Sequence, residues 1–446
     1  MLRALPLKCA VITPVGPGHE LYALDAAESV KEASDATRGP FAEVVHIPVD
    51  DCLGNLGAAS ARNRGVELAG RCGAEWVFFL DADDVLSRDA FRNVAGALEK
   101  HDAIWGAIYD LAADEEGGLP RSSQLRTMTR MEELLSNDPF NTLQIGHFVK
   151  TAVAQATPFD RNLGAASEFD YYLRLWSKYR CIKIENPFFY SRAGDRSVDP
   201  RASSKSERRA AIERLIAVKC EEVDFHAEFT YRGEDFRFFV RNPFDLIHRR
   251  FLTHGFFELR ELEYIERWVG TGAAIVEVGA YVGNHVVYYA RFMRPRSILV
   301  LEPNPGAITS LRHNLSENAV SNADLGQLGI GIAATAGAYE LACEANTNLG
   351  ATRLVRAAHG TIKCVPLDKL ISAKVDFMKI DVEGMELEVL AGAERVIAQS
   401  RPKIMIEVFR SQMPWFNAWL ETHQYSVKHQ FDYVHAVNYL IEPMHG

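Results

Sequence analysis

The sequence predicts an α/β protein of two domains, and three observations carry that reading. Two segments, about Leu7 to Arg196 and about His226 to the C-terminus, each alternate apolar strand-like runs with helical patterns, as helices layered on sheets do. In each segment an apolar run stops abruptly at a cluster of carboxylates or glycines. Between them, "DPRASSKSERRAA" from Asp199 onward is rich in Ser and Arg, with Pro200 as a breaker. Residues 199–225 therefore read as a linker entering a helix, with 1–198 and 226–446 as the domains. Ile212, Leu215, Ile216 and Val218 give that helix one apolar face, and its mixed charges read as a solvated surface.

Composition narrows the class. At 446 residues, with 48% apolar residues and a formal charge of −10, the chain suits a globular enzyme that buries a large core. It lacks the net basic balance of a nucleic-acid binder and is too apolar for disorder. No uncharged apolar run approaches the ~20 residues of a membrane-spanning helix. The stretch Cys9 to Val15 is short and contains Pro14, so it reads as a first strand, not a secretion signal. Seven scattered cysteines without a C-x-x-C pair fit reduced thiols and a cytoplasmic protein.

In the first segment, Trp76-Val-Phe-Phe-Leu80 reads as a buried strand and leads directly into Asp81, Asp83 and Asp84. Three carboxylates in four residues repel one another unless a cation or strong donors neutralise them. In an extended segment Asp81 and Asp83 point the same way, and a divalent ion bridging to a diphosphate would use such a pair. Alone, a D-x-D is more often a solvated acidic turn. Here it has company: a strand ending in Thr13-Pro14, a second ending in Asp50-Asp51, "ARNRG" with Arg62, then Glu168 and Asp170 opening a helix, and Arg192 with Arg196.

That ordered set resembles the glycosyltransferase family 2 catalytic domain, of GT-A fold, over roughly residues 7–197. The resemblance implies a nucleotide-sugar donor, a divalent metal (Mn²⁺ or Mg²⁺), a glycan or glycolipid acceptor and inversion at the anomeric carbon. It implies that Thr13 and Pro14 line the nucleotide pocket and that Asp50 or Asp51 meets base and ribose. Asp81 and Asp83 would hold the metal–diphosphate, Arg62 would contact phosphate, and Glu168 or Asp170 would be the general base. Alignment through "LRL" favours Glu168. Two stretches depart from the family pattern: Asp50-Asp51-Cys52-Leu53 replaces "DDGS", and Ser167-Glu168-Phe169-Asp170 replaces Glu-Asp-x-Asp.

In the second segment, "AAIVEVGAYVGNHVVYYA" reads as strand Ile275 to Val278, a glycine turn, and a helix from about Asn284. A dinucleotide site needs a second glycine two residues after the first, and that position is Tyr281. The turn thus argues against NAD or FAD and suits S-adenosylmethionine, whose carboxylate a helix N-terminus favours. A second strand ends in Glu302, placed to accept ribose hydroxyls. A third, Val375 to Ile380, ends in "KIDVEGME" with Asp381 and Glu383.

These elements, in this order, resemble the FkbM family of methyltransferases over roughly His226 to Pro443. The resemblance implies a class I (Rossmann-like) methyltransferase fold, a seven-stranded sheet with an antiparallel end formed by "YSVKHQF" and "HAVNYLIEP". It implies that Glu277, Gly279, Gly283, Asn284 and Glu302 bind the cofactor and that Asp381 and Glu383 face the acceptor. Asp381 is then the candidate base for a sugar hydroxyl, or a metal ligand; His285 is a further candidate base. Together the two resemblances imply a bifunctional enzyme that transfers a sugar and O-methylates one. The alternative is a methyltransferase whose first domain only recognises glycan or nucleotide. No amphipathic basic helix argues for membrane docking, and oligomeric state is left open.

Overall fold

The computed structural model describes residues 7–111, 118–137, 139–192, 205–342 and 352–444. Arg196, the 199–204 stretch and Cys343 lie outside them. The chain divides into two compact units, Met1–Lys219 and Cys220–Gly446.

Unit 1 is built on a six-stranded mixed sheet. Its first strand, β1 (Leu7–Val15), is followed by α1 (Glu20–Ala36), β2 (Phe41–Asp50), α2 (Ala58–Arg71) and β3 (Trp76–Phe79). Then come β4 (Ala103–Gly106), β5 (His147–Lys150), α3 (Ser167–Lys178) and β6 (Cys181–Ile184). The strand order is β2-β1-β3-β5-β4-β6. β1 pairs in parallel with β2 and β3, whereas β5 inserts antiparallel between β3 and β4. The parallel edge sends the C-terminal ends of β1, β2 and β3 to one rim, which is where ligands sit in open α/β sheets. Thr13, Asp50 and Asp81 all lie at that rim. Every residue of β3 is buried, so the apolar run is a central strand covered on both faces.

An aromatic cluster fixes the core beneath. Phe148 of β5 lies 4.6 Å from Phe78 and 5.0 Å from Phe188 by ring centroid, with Phe41 and Phe91 at 6.1 Å. The helix α4 (Lys205–Glu222) buries Ile212, Ile216 and Cys220, a strict four-residue spacing. Val218, expected on the same face, is 54% exposed, because it lies two residues from Ile216 and so about 200° around the helix.

Unit 2 opens with the hairpin β7 (His226–Tyr231) and β8 (Glu234–Phe239). A helix α5 (Leu259–Val269) precedes β9 (Ala274–Val278), α6 (Asn284–Tyr288), β10 (Ser297–Leu301), α7 (Pro305–Glu317) and β11 (Ala323–Asp324). The sheet is completed by β12 (Phe377–Ile380), β13 (Lys403–Phe409), β14 (Tyr425–Asp432) and β15 (Ala436–Pro443). Seven strands run β11-β10-β9-β12-β13-β15-β14, parallel except for the β15 and β14 end. That is the class I methyltransferase arrangement, with the antiparallel end where the sequence placed it. The strands at its centre are wholly or largely buried, as a sheet covered on both faces requires. Among the described residues no helix is long and apolar enough to cross a membrane.

Phe148→Ala should cost unit 1 about 3–5 kcal/mol, the usual penalty for removing a buried ring that its neighbours cannot replace. Hydrogen exchange should show faster opening of β1, β3 and β5 while β9 to β13 keep their protection.

Candidate active sites

In unit 1 the strand ends bring carboxylates to a single buried cation. Arg62, only 4% exposed on α2, donates to Asp81 Oδ1 at 2.7 Å and to Glu168 Oε1 at 3.0 Å. Its guanidinium also lies 5.6 Å from the Phe159 ring centroid. Arg208 of α4 donates to the other Glu168 oxygen at 2.9 Å. Burial works against ionising Glu168, but Arg62 and Arg208 outweigh it and hold the carboxyl below its usual range. Burial raises Asp81 in spite of Arg62, with Glu168 and Asp83 adding to the rise. So the bridging arginine keeps the two acids on either side of it unequal.

Asp170, the second carboxylate of the helix start, faces elsewhere. Two helical residues are about 200° apart, and Asp170 accepts from Arg174 at 2.8 Å on its own helix. Asp50 and Asp51 are also separated. Asp51 is buried and accepts the backbone N–H groups of Leu56 and Gly57, both at 2.8 Å, which holds the loop before α2. Asp50 is the exposed member and accepts from Cys52 N at 2.9 Å. Thr13 is buried and its hydroxyl lies 3.0 Å from His46 Nε2, while Pro14 is half-buried.

The three aspartates after β3 divide in the same way. Asp84 is buried, receives the Arg192 N–H at 3.3 Å and the Gln144 amide at 3.4 Å, and burial pushes its carboxyl well up. It ties this loop to the strand at Phe189–Arg192. Asp83 is half-buried, and its side chain makes no hydrogen bond or ion pair with a described residue. Arg192 pairs with Asp25 at 2.8 Å. His46, Gln144 and Arg208 were not singled out from sequence. Arg208 sat among charges that read as solvent-facing, and nothing in "SERRAA" marks which one folds back.

In unit 2 the glycine turn opens onto a cavity of about 670 Å³. Gly279 has φ 87°, and a Cβ there would stand 1.8 Å from the Asp381 carbonyl oxygen. Only glycine lets β9 and β12 close this tightly. Gly283, also left-handed at φ 85°, caps α6. Glu302 is buried and accepts the N–H groups of Tyr281 at 2.7 Å and Asn304 at 2.8 Å. Burial raises its carboxyl to about 7 against those two bonds. It lines the cavity with Tyr281 and Asn304.

Of two further expected cofactor residues, Asn284 lines the cavity and Glu277 lies behind it. Asn284 spends both ends of its amide on Phe257, accepting its N–H and donating to its carbonyl at 3.0 Å each. Glu277 is fully buried, 3.5 Å from Lys379 Nζ and 3.8 Å from His285 Nδ1. Lys379, itself buried, reaches on to Asp381 Oδ2 at 2.9 Å. His285 Nε2 lies 3.1 Å from Glu258 Oε2, and both residues line the cavity.

Also lining the cavity, Asp381, Glu383 and Glu407 have carboxylate oxygens within 4.8 Å of one another. Burial first, then the neighbouring acids, raises Glu383 to about 8 and Glu407 to about 10. Glu407 carried a sequence signal, one carboxylate inside the apolar run "KIMIEVF"; Glu258 carried none. Glu258, Tyr281 and Glu383, all lining the cavity, are non-glycine residues with φ of 53°, 45° and 54°. Backbone strain of this kind gathers at functional sites.

Comparison with known proteins finds a separate family match in each half of the chain. Residues 32–152 match the glycosyl transferase family 2 model, and residues 277–439 match the methyltransferase FkbM domain model. Both models are of transferase families, and each match spans less than half of the chain. No curated protein matches it. Among solved structures, S. aureus TarS 1–349 in complex with UDP-GlcNAc is 17% identical with a TM-score of 0.36, covering 49% of this chain and 68% of that one. Methyltransferase FkbM from Methylobacillus flagellatus KT is 20% identical with a TM-score of 0.28, covering 44% of this chain and 52% of that one.

Two outcomes follow. Replacing Arg62 by Met should destabilise unit 1 by about 3–5 kcal/mol, the cost of leaving buried charges uncompensated. The loss should shrink in acid, where Asp81 and Glu168 protonate, as denaturant titrations at pH 4.5 and 7.5 would show. In unit 2, Glu302, Glu383 and Glu407 hold protons when folded that the unfolded chain releases near pH 4.3. Their contribution is therefore complete below that pH and is lost as pH rises through about 7 to 10. Calorimetry should find the unit 2 Tm falling from pH 5 to 9, with a shallower fall in Glu407→Gln.

Proposed function

We propose that the chain is a bifunctional glycan-modifying enzyme. Unit 1 transfers a sugar from a nucleotide-sugar donor with inversion, and unit 2 O-methylates a sugar hydroxyl with S-adenosylmethionine. The observation that supports this reading is that each family match falls on its own carboxylate-lined site. Asp81 and Asp83 lie within 32–152 and Glu168 beyond it. The cavity residues from Val278 to Ala436 lie within 277–439, with Leu246, Ile247, Phe257 and Glu258 of the lining before it.

In unit 1, Thr13, Pro14 and Asp50 would line the nucleotide pocket at the sheet rim. Asp83 has a carboxylate with no partner among the described residues and fits a divalent ion beside Asp81. That ion, when bound, supplies charge stabilisation to the departing diphosphate. Glu168 would take the acceptor hydroxyl's proton, yet two arginines hold it as a weak base. A diphosphate entering beside Asp81 offers Arg62 and Arg208 a bidentate partner, and that exchange would restore Glu168's basicity.

In unit 2, the Gly279 turn and Glu302 would seat the cofactor, with Glu302 using its remaining lone pairs on the ribose. S-Adenosylmethionine, when bound, supplies an electrophilic methyl group. Asp381, fixed by Lys379, would accept the proton of the attacking hydroxyl, and Glu383 would donate a hydrogen bond to the acceptor below pH 8. Alignment of the hydroxyl on the far side of the cavity provides much of the acceleration.

One observation favours a second reading, a methyltransferase whose unit 1 only binds glycan or nucleotide. The Asp81–Arg62–Glu168–Arg208 chain occupies the groups that transfer would need.

Calorimetric titration of the full chain separates the two. UDP, GDP and UDP-GlcNAc would be titrated with and without Mn²⁺, and S-adenosylmethionine separately, into wild type, Asp83→Ala and Gly279→Val. Independent sites without shared partners should respond independently. Asp83→Ala should then lose Mn²⁺-dependent nucleotide binding and sugar transfer but keep its cofactor affinity, and Gly279→Val should do the reverse. Metal-dependent binding without any transfer to a glycan would favour the second reading, and no such binding in wild type would remove the first.

A further inference from the structure

We infer that unit 2 carries a transition-metal site at His226, His313 and Asp224, outside the methyltransferase cavity, where a Zn²⁺-class ion would clip the β7–β8 hairpin to α7. The two imidazoles face each other directly, His226 Nε2 lying 2.8 Å from His313 Nε2. One ligand atom from each of Asp224, His226 and His313 lies within 4.8 Å of the others. None of the three lines the cavity.

The tautomer supports ligation. His226 Nδ1 sits 2.5 Å from the Asp224 carbonyl oxygen. A carbonyl only accepts, so this shorter contact assigns the hydrogen to Nδ1 and leaves Nε2 its lone pair toward His313. The longer approach of Arg237 Nη2 to the same Nδ1, at 3.3 Å, is then a contact and not a hydrogen bond. A backbone carbonyl holding the far nitrogen is the usual support of a metal-bound histidine. Phe239 flanks both rings, at centroid distances of 5.7 and 5.4 Å, and limits their rotation. Two imidazoles and a carboxylate suit Zn²⁺, Co²⁺ or Ni²⁺ and not Mg²⁺ or Ca²⁺. Bonds of about 2.0–2.1 Å need the two nitrogens only slightly further apart than they now stand. Glu317 Oε1, 3.9 Å from His313 Nε2, is within reach as a fourth ligand.

One cation stands nearby. Arg237 Nη2 lies 3.3 Å from His226 Nδ1, but the same guanidinium is paired with Glu317 at 2.9 Å and Glu228 at 3.3 Å. Its charge is therefore largely met by these two carboxylates, of which Glu317 also approaches His313. The clip would reinforce an existing seam, since Asn314 and Asn318 of this helix region already accept the N–H groups of Phe239 and Arg237. The helix it would fasten starts directly after Glu302 and Asn304 of the cavity wall.

The test uses the full chain, stripped of metal and free of any affinity tag, titrated with Co²⁺ and then Zn²⁺. Co²⁺ should bind one equivalent that His313→Gln lacks, with a visible absorption band from imidazole ligation that Zn²⁺ displaces. Zn²⁺ should raise the unit 2 Tm in wild type, as any ligand specific to the folded state does, and should not do so in His313→Gln or His226→Gln. Asp83→Ala and Glu407→Gln should keep the band, which separates this site from the two carboxylate clusters. Affinity in His313→Gln within threefold of wild type would overturn the proposal. Histidine NMR signals of His226 and His313 that stay put on Zn²⁺ addition would overturn it equally, whether or not the variants fold.

Discussion

In both units the polar groups at the sheet rim are held by one buried cation set between carboxylates from distant parts of the chain. Arg62 lies between Asp81 and Glu168, and Lys379 lies between Glu277 and Asp381. Each cation has to be there. An apolar strand that ends in acids brings like charges out of water together, and desolvation would otherwise protonate them or push the strands apart. Once in place, the cation fixes which acid remains available for chemistry. The carboxylates it does not reach take other roles: Asp84 and Asp51 hold loops by accepting backbone N–H groups, and Glu383 and Glu407 stay protonated near neutral pH.

The two cations differ in what they can do next. A guanidinium offers a planar fork that fits carboxylate or phosphate with two bonds, so Arg62 can exchange one partner for another of the same shape. An ammonium is a point charge without that choice, and Lys379 is walled in at the junction of β9 and β12. Arg62 is thus a group that a phosphate ligand can recruit, whereas Lys379 is a fixed strut behind Asp381. The contrast follows from side-chain chemistry and needs no difference in burial, since both are almost fully enclosed.

Local pattern made much of this visible in the sequence. β3 and β9 are apolar runs with polar ends, the Gly279 turn is a spacing, and the antiparallel β14–β15 end is a pair of alternating strands. What was not visible depends on contacts between residues far apart in the chain. The Arg62–Glu168 pair spans 106 residues, so no local window contains it, and "ARNRG" gives no sign of which arginine turns inward. Asp50 and Asp51 look equivalent until the loop before α2 closes on one of them. The insertion of β5 between β3 and β4 follows from packing Phe148 among Phe78, Phe188 and Phe91, a match of shapes that periodicity does not encode. Glu258 is the clearest loss, because it precedes an ordinary amphipathic helix and becomes a cavity residue only through its left-handed backbone.

That backbone bears on how the two sites meet their ligands. Glu258, Tyr281 and Glu383 each pay on the order of 1–3 kcal/mol for a left-handed conformation, and such strain persists only where surrounding bonds over-determine it. Those bonds are present: Tyr281 N donates to Glu302, Asn438 and His285 bracket Glu258, and Glu386 receives the N–H groups of Val382 and Gly384 on either side of Glu383. The cavity of unit 2 is therefore shaped in advance by its backbone. No residue of the Asp81–Arg62–Glu168 site has a positive φ; that site is shaped by side-chain ion pairs, which rearrange at the cost of rotamers and not of the fold. A ligand entering the unit 2 cavity would meet a formed surface, whereas an anion seated beside Asp81 in unit 1 would first have to compete for its arginines, and the energy of that competition would come out of its affinity.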